Sequence, residues 1–179
     1  YDNSIPHPSL EDLKKRIRKI KDLGCIRVGL QGGEPLLHPD IVEVVRYCKA
    51  VGLRTSLSTN GFKLTPELVQ ALEKARLDVL QVSVDRMTPI PSTRKAFKTL
   101  VPKLEYLKNS NIPFHITGVL FNETLAESRQ VLEYGISNGI SVQTRLAHAG
   151  PDGRMLAGAG RKDALESFID SMMREKKKG

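Results

Sequence analysis

The residues of this chain with types suited to chemistry gather in short polar runs, each ending an apolar stretch. Gly32-Gly33-Glu34-Pro35 closes the run Ile26-Arg27-Val28-Gly29-Leu30-Gln31, and Ser58-Thr59-Asn60-Gly61 and Ser83-Val84-Asp85-Arg86 close the next two. Gly118 to Asn122, and Arg145 with His148, end two later runs. Carboxylates accept from ammonium and hydroxyl groups, while hydroxyl and amide side chains do both. Two glycines without side chains bring the backbone close to a ligand. Pro35 fixes the turn and presents Glu34 in an extended conformation. A core strand has reason to be aliphatic but none to finish in Glu, Asn, Asp or His. The pattern implies a rim that binds a polar small molecule with hydroxyl or amino groups.

These runs need elements to position them. Ser9 with Asp12 reads as a capping box, and Leu10, Leu13, Ile17 and Ile20 form one apolar helical face up to Gly24. A strand over 25–31 and a helix over 39–51, striped by Ile41, Val44, Val45 and Cys48, follow. Then come strand 53–58, a helix opened by Thr65-Pro66-Glu67, strand 78–84 and a long helix over 93–110. Strand 114–120, helix 123–138 and strand 140–146 complete the alternation. A strand-helix unit repeating at about thirty residues implies parallel strands with right-handed crossovers, whose carboxyl ends open on one face. Five strands cannot close an eight-stranded barrel, and no strand precedes the first helix. The chain also lacks an initiator Met, so the expectation is an excised piece that lacks its first strand and the loop after it.

Composition narrows the class. The 179 residues are 40% apolar and 27% charged, within the soluble range, and no apolar run approaches a membrane span of about 18 residues. The net charge of +8 permits nucleic acid, but zero Trp, 5% aromatics and cations interleaved with acids along helices argue against it. Cys25 and Cys48 match no metal spacing and read as small buried hydrophobes in a reducing compartment, which makes the cytoplasm the default. Residues 1–149 read as the core domain, and 150–179 as a Gly-rich linker and an amphipathic helix packing on it through Leu165, Phe168, Ile169, Met172 and Met173.

Strand-GGEP-LLHPD-helix, then strand-STNG, then strand-SVD resembles the radical S-adenosylmethionine superfamily. The likeness is to the branch with GGEP after the second strand of a partial (β/α)6 TIM-like barrel, and it runs from Tyr1 to Arg145. It implies that Gly32, Gly33, Glu34 and Pro35 bind the methionine amino group of S-adenosylmethionine. Ser58 and Asn60 then approach the methionyl moiety, Ser83 and Asp85 the ribose, and the backbone at Gly118 the adenine. Arg94 or Lys95 pairs with the methionine carboxylate. Arg145 and His148 have no family counterpart and are assigned to substrate.

One departure is plain. The CxxxCxxC loop that ligates a [4Fe-4S] cluster is absent, and Cys25 and Cys48 lie on the wrong elements to replace it. The resemblance therefore places the cluster ligands before Tyr1, leaves no metal ligand in this chain, and makes the piece alone inactive. For the parent it implies reduction of the sulfonium by the cluster, a 5′-deoxyadenosyl radical, and hydrogen abstraction from a small-molecule or peptide substrate. An electron donor such as flavodoxin or ferredoxin would supply the reductant.

Plainer readings stand beside these. Glu34 is placed to cap the following helix, Asn60-Gly61 is a common turn pair, and Asp85 is placed to cap or to pair with Arg86. His148 in a loop reads equally as a solvated group. Two other functions compete: a TIM-like lyase or isomerase for a phosphorylated small molecule, and a non-catalytic barrel that binds a nucleoside. The first wants a late Gly-rich phosphate loop and a strand-borne Lys, neither of which stands out here.

Overall fold

The computed structural model describes residues 7–84, 87, 97–120, 125–146, 166–167, 169–170 and 173–174. Five parallel strands form one sheet in the order β1-β2-β3-β4-β5. They are β1 (Arg27–Leu30), β2 (Arg54–Thr59), β3 (Val79–Val84), β4 (Phe114–Leu120) and β5 (Ser141–Leu146). The helices are α1 (Leu10–Asp22), α2 (Ile41–Ala50), α3 (Pro66–Lys74), α4 (Phe97–Lys108) and α5 (Leu125–Ser137), with a 3-10 turn at Pro35–Leu37. Each expected element of the strand–helix alternation is present, with most ends moved by a residue or two; strand 114–120 has the expected bounds, α4 is described from Phe97 because 93–96 lie outside the described residues, and so does most of the expected C-terminal helix.

The chain divides into two compact units: Tyr1–Ser83 with Leu100–His115, and Val84–Thr99 with Ile116–Gly179. In the first, sequence-local chemistry sets the helix starts. Ser9 Oγ accepts from the Asp12 N–H at 3.1 Å and donates to its carboxylate at 2.7 Å. Thr65 Oγ1 accepts from the Leu68 N–H, with Pro66 at the first helical position, where its missing donor costs nothing. Buried His38 accepts the Asp40 N–H at Nδ1 (3.1 Å) and donates from Nε2 to the Pro8 carbonyl (2.9 Å), fixing the turn into α2.

Strand alternation sorts the sheet into two faces. Val28 and Leu30 pack with Ile17, Val44, Cys48 and Leu53 under α1 and α2. In register with them, Thr55, Leu57, Leu80 and Val82 are buried on the same face. The other face carries Arg27, Gly29, Arg54 and Ser56, all exposed, and half-buried Ser58, Val79, Gln81 and Ser83. A parallel sheet is normally apolar on both faces, so a polar second face marks the side turned toward solvent or a ligand. One expectation fails here: Cys25 is exposed, not buried, because the strand begins at Arg27 and leaves Cys25 in the preceding loop; Cys48 is buried as read.

In the second unit, Phe97 and Tyr134 meet edge to face with centroids 4.7 Å apart. Glu127 in the first turn of α5 accepts the Met87 N–H at 2.6 Å. Ile169 and Met173 are exposed, while Leu165, Phe168 and Met172 lie outside the described residues.

Candidate functional site

The carboxyl ends of β1 and β2 are joined by one carboxylate. Glu34 is extended (φ −146°, ψ 104°), as Pro35 after it dictates. Its Oε1 accepts from the Leu36 N–H (3.0 Å) and from Thr59 Oγ1 (2.7 Å), and its Oε2 accepts from the Asn60 N–H (2.7 Å). Glu34 therefore caps the 3-10 turn, as one sequence reading had it, and in the same geometry ties the glycine turn to β2. Thr59 Oγ1 accepts in turn from the Gly61 N–H at 3.0 Å, and Asn60 Oδ1 from the Phe62 N–H at 2.9 Å. Lys103 donates to the Phe62 carbonyl from α4.

Gly61 is required by space and by backbone. Its φ is +77°, and a Cβ there would stand 2.9 Å from Leu100 Cδ2. This turn carries two of the three donors to the carboxylate, the Thr59 hydroxyl and the Asn60 N–H.

A carboxylate offers about four lone-pair sites, and three are filled here, which leaves Oε2 one further donor to accept. Among the described residues no Lys, Arg or His forms an ion pair with Glu34. Gly32 and Gly33 beside it are exposed. Three neutral donors aim at this carboxylate, and one of its lone pairs is left over. Ser58 and Ser83 are half-buried on the polar face, and among the described residues neither hydroxyl has a protein partner.

The other expected site residues divide differently. Gly118 lies on β4 in the second unit, half-buried, where a Cβ would sit 3.6 Å from the Val84 carbonyl oxygen. Arg145 is placed on β5 by its backbone alone. Asp85, Arg94, Lys95 and His148 lie outside the described residues. Thr59 was missed as a functional residue. Alternation puts it on the buried face, and its signal was a hydroxyl at a position that packing alone would fill with Val or Ile.

The opposite ends of the strands hold a second carboxylate. Asp78 Oδ1 and Oδ2 accept from Lys49 Nζ (2.7 and 2.9 Å), and Oδ2 also accepts the Thr55 N–H (2.6 Å). Burial pushes the Asp78 carboxyl up, but the Lys49 ammonium and the Thr55 N–H outweigh it and hold the group below its ordinary value. Burial pushes the neighbouring Cys48 thiol up, so it stays protonated and inert.

The donor sets decide which cofactors fit. An ammonium-bearing, hydroxyl-bearing ligand such as S-adenosylmethionine suits the free Oε2 lone pair, the glycine turn and the unpartnered serines. An iron–sulfur cluster does not fit: among the described residues no three His, Cys, Asp or Glu side chains converge, and the two cysteines lie on separate elements. Among the described residues no helix is long and apolar enough to cross a membrane.

Known proteins share sequence and fold with this chain. The family model described as "Radical SAM superfamily" matches residues 2–135. The AdoMet-dependent heme synthase of Methanosarcina barkeri is 33% identical over 138 residues, covering 73% of this chain and 40% of that protein. The PqqA peptide cyclase of Ruegeria pomeroyi is 33% identical over 122 residues, 65% of this chain and 33% of that protein. This chain thus spans less than half the length of either relative. The crystal structure of Streptococcus suis SuiB bound to S-adenosylmethionine superposes with a TM-score of 0.75 at 16% identity, over 96% of this chain and 42% of that one. That likeness concerns the fold, a TIM-like arrangement of parallel strands and helices.

Proposed function

From the premise that this chain belongs to the radical SAM superfamily, a superfamily of enzymes, we propose that its sheet rim binds S-adenosylmethionine in the manner of the GGEP branch. Glu34 supports this reading most directly: a carboxylate held by three neutral donors, with one lone pair left and no cation of its own among the described residues. Its Oε2 and the carbonyls of the Gly32-Gly33-Glu34-Pro35 turn accept the methionine ammonium. Ser58 and the Asn60 amide flank the methionyl chain, since Asn60 Oδ1 is already committed to Phe62 and its NH2 remains to donate. Ser83 and Asp85 take the ribose hydroxyls, the backbone at Gly118 passes the adenine, and Arg94 pairs with the methionine carboxylate. Arg145 and His148 are assigned to substrate.

S-adenosylmethionine, when bound, supplies the 5′-deoxyadenosyl group that abstracts a hydrogen from substrate. This chain's part is to bind and orient it. Glu34 sets the position of the amino group, and the Asn60-Gly61 turn keeps that position within the tolerance such chemistry needs. The described residues offer no thiolate set for the [4Fe-4S] cluster, whose ligands are assigned to sequence outside this chain. The substrate is a peptide or a small molecule; the likeness to a peptide cyclase favours a peptide. Flavodoxin or ferredoxin is the proposed electron donor and the cytoplasm the proposed compartment.

The test uses the full-length protein, anaerobically reconstituted with iron and sulfide, then given S-adenosylmethionine and dithionite. A brown cluster spectrum and release of 5′-deoxyadenosine are expected. A colourless protein that releases none would overturn the reading and favour the nucleoside-binding alternative.

A further inference from the structure

On the polar face of the sheet, Arg27 and Arg54 are directly opposite one another on β1 and β2. Strand alternation puts both side chains on that face, both residues are exposed, and among the described residues neither has an ion-pair or hydrogen-bond partner for its side chain. Like charges directly opposite in a sheet repel, so the pair does nothing for the fold. Asp78, whose pKa responds to Arg54 through space, is already bound by Lys49. The two backbones stand one strand spacing apart, about 4.8 Å, so these two long side chains have the reach to converge on one carboxylate.

The next step along the same face leaves room for a ligand. Gly29 is a glycine in a strand interior, where it weakens the strand and marks a bulge, a bend or the close approach of a ligand or another backbone. It faces Ser56 in register, and a Cβ added there would meet Ser56 Oγ at 3.6 Å. Gly29 and Ser56 therefore leave a low floor between the arginines and Ser58 at the rim. Arg54 lies four residues before Ser58 in the same strand, a span of about 13 Å.

We propose that Arg27 and Arg54 form a carboxylate-binding site for the far end of an elongated substrate that lies across Gly29 and Ser56 on the polar face. The substrate then carries a carboxylate about 13 Å from the group that reacts at the rim. This rests on the rim reading above, and the experiment separates the two.

Tricarballylate is titrated into the full-length protein, with inorganic phosphate and the neutral tricarballylamide in parallel, and the arginine Nε–H NMR signals are followed. S-adenosylmethionine affinity is measured on the same samples by calorimetry. Two signals should shift saturably with tricarballylate, and they should be those missing in R27Q and in R54Q. Either variant should weaken tricarballylate at least fivefold. R54K, which keeps the charge but loses the fork, should also weaken it, and all three should bind S-adenosylmethionine within twofold of wild type. Non-saturating shifts, equal shifts from tricarballylamide, or unchanged binding in the R27Q/R54Q double variant would overturn the proposal. Phosphate binding tighter than tricarballylate would overturn the carboxylate assignment. Tricarballylate binding in a protein that does not take up S-adenosylmethionine would support the arginine site and sink the rim reading instead.

Discussion

The two ends of the sheet solve one problem in two ways. At the amino-terminal end, Asp78 ties β3 to β2 by accepting the Thr55 N–H, and Lys49 neutralises it. At the carboxyl end, Glu34 ties the loop after β1 to β2 by accepting from Leu36, Thr59 and Asn60, and no cation of the described residues answers it. Both carboxylates stitch strands. One has its counter-ion, and the other holds three neutral donors, one lone pair still open and no counter-ion among the described residues. Among the described residues Lys49 answers one acid and no cation answers the other, and on the reading proposed above the first carboxylate is structural and the second takes a cationic ligand.

The largest expected effect comes from breaking the turn beneath the rim. Gly61→Val forces an L-residue to φ +77° and a Cβ to within 2.9 Å of Leu100. The strain and overpacking should cost about 2–4 kcal/mol. Denaturant titration should show the loss, and S-adenosylmethionine binding should fall with it. Gly61→Ala should cost less, because only the Cβ is added.

Next, Asp78→Asn should destabilise by about 1–3 kcal/mol, because it weakens a charge-assisted bond and leaves the half-buried Lys49 without its counter-ion. Its binding of S-adenosylmethionine should stay within twofold of wild type. If that variant loses the ligand while folded, the structural role of Asp78 is wrong. The pH dependence sharpens the point. A carboxyl held below its ordinary value contributes stability above that value and loses it as pH falls through the folded-state pKa. The gap in denaturation midpoint between wild type and Asp78→Asn should therefore be full at neutral pH and close as pH falls below the ordinary value of 3.8.

A smaller effect is expected at Thr59. Thr59→Val removes one donor to Glu34 and one acceptor for the Gly61 N–H, which should cost about 1 kcal/mol. Thr59→Ser keeps the hydroxyl and should recover most of it. Equal losses in the two would mean that packing, not the hydrogen bonds, sets the cost.

What the sequence made legible follows from interaction range. The Ser9 cap, the Thr65-Pro66 start and strand 114–120 depend on neighbours a few residues away, and they appear where local pattern puts them. The strand ends read as a polar rim because five unrelated runs finish in the same kind of residue; Glu34, Ser58, Asn60 and Ser83 lie at or just past the ends of β1 to β3, while Asp85 and His148 lie outside the described residues. Glu34 was found, but the division of its lone pairs was not, since Thr59 and Asn60 reach it across 25 and 26 residues. The pairing of Lys49 with Asp78 spans 29 residues and has no local signature at all. Cys25 misled because a cysteine beside an apolar run reads as core, whereas the strand begins two residues later. Asn60-Gly61 signalled a turn, but the tight contact that a Cβ at Gly61 would make comes from Leu100 on a distant helix.

The contrast between the two carboxylates is tested most directly by calorimetric titration of S-adenosylmethionine into reconstituted full-length wild type, Glu34→Gln and Asp78→Asn. Glu34→Gln loses the charge and leaves an oxygen for only one of the two backbone donors, Leu36 on Oε1 or Asn60 on Oε2, so it should bind at least tenfold more weakly, about 1.4 kcal/mol, while Asp78→Asn binds as wild type does. Wild-type affinity in folded Glu34→Gln would contradict the account, because the uncompensated acid at the rim would then be only another stitch in the sheet.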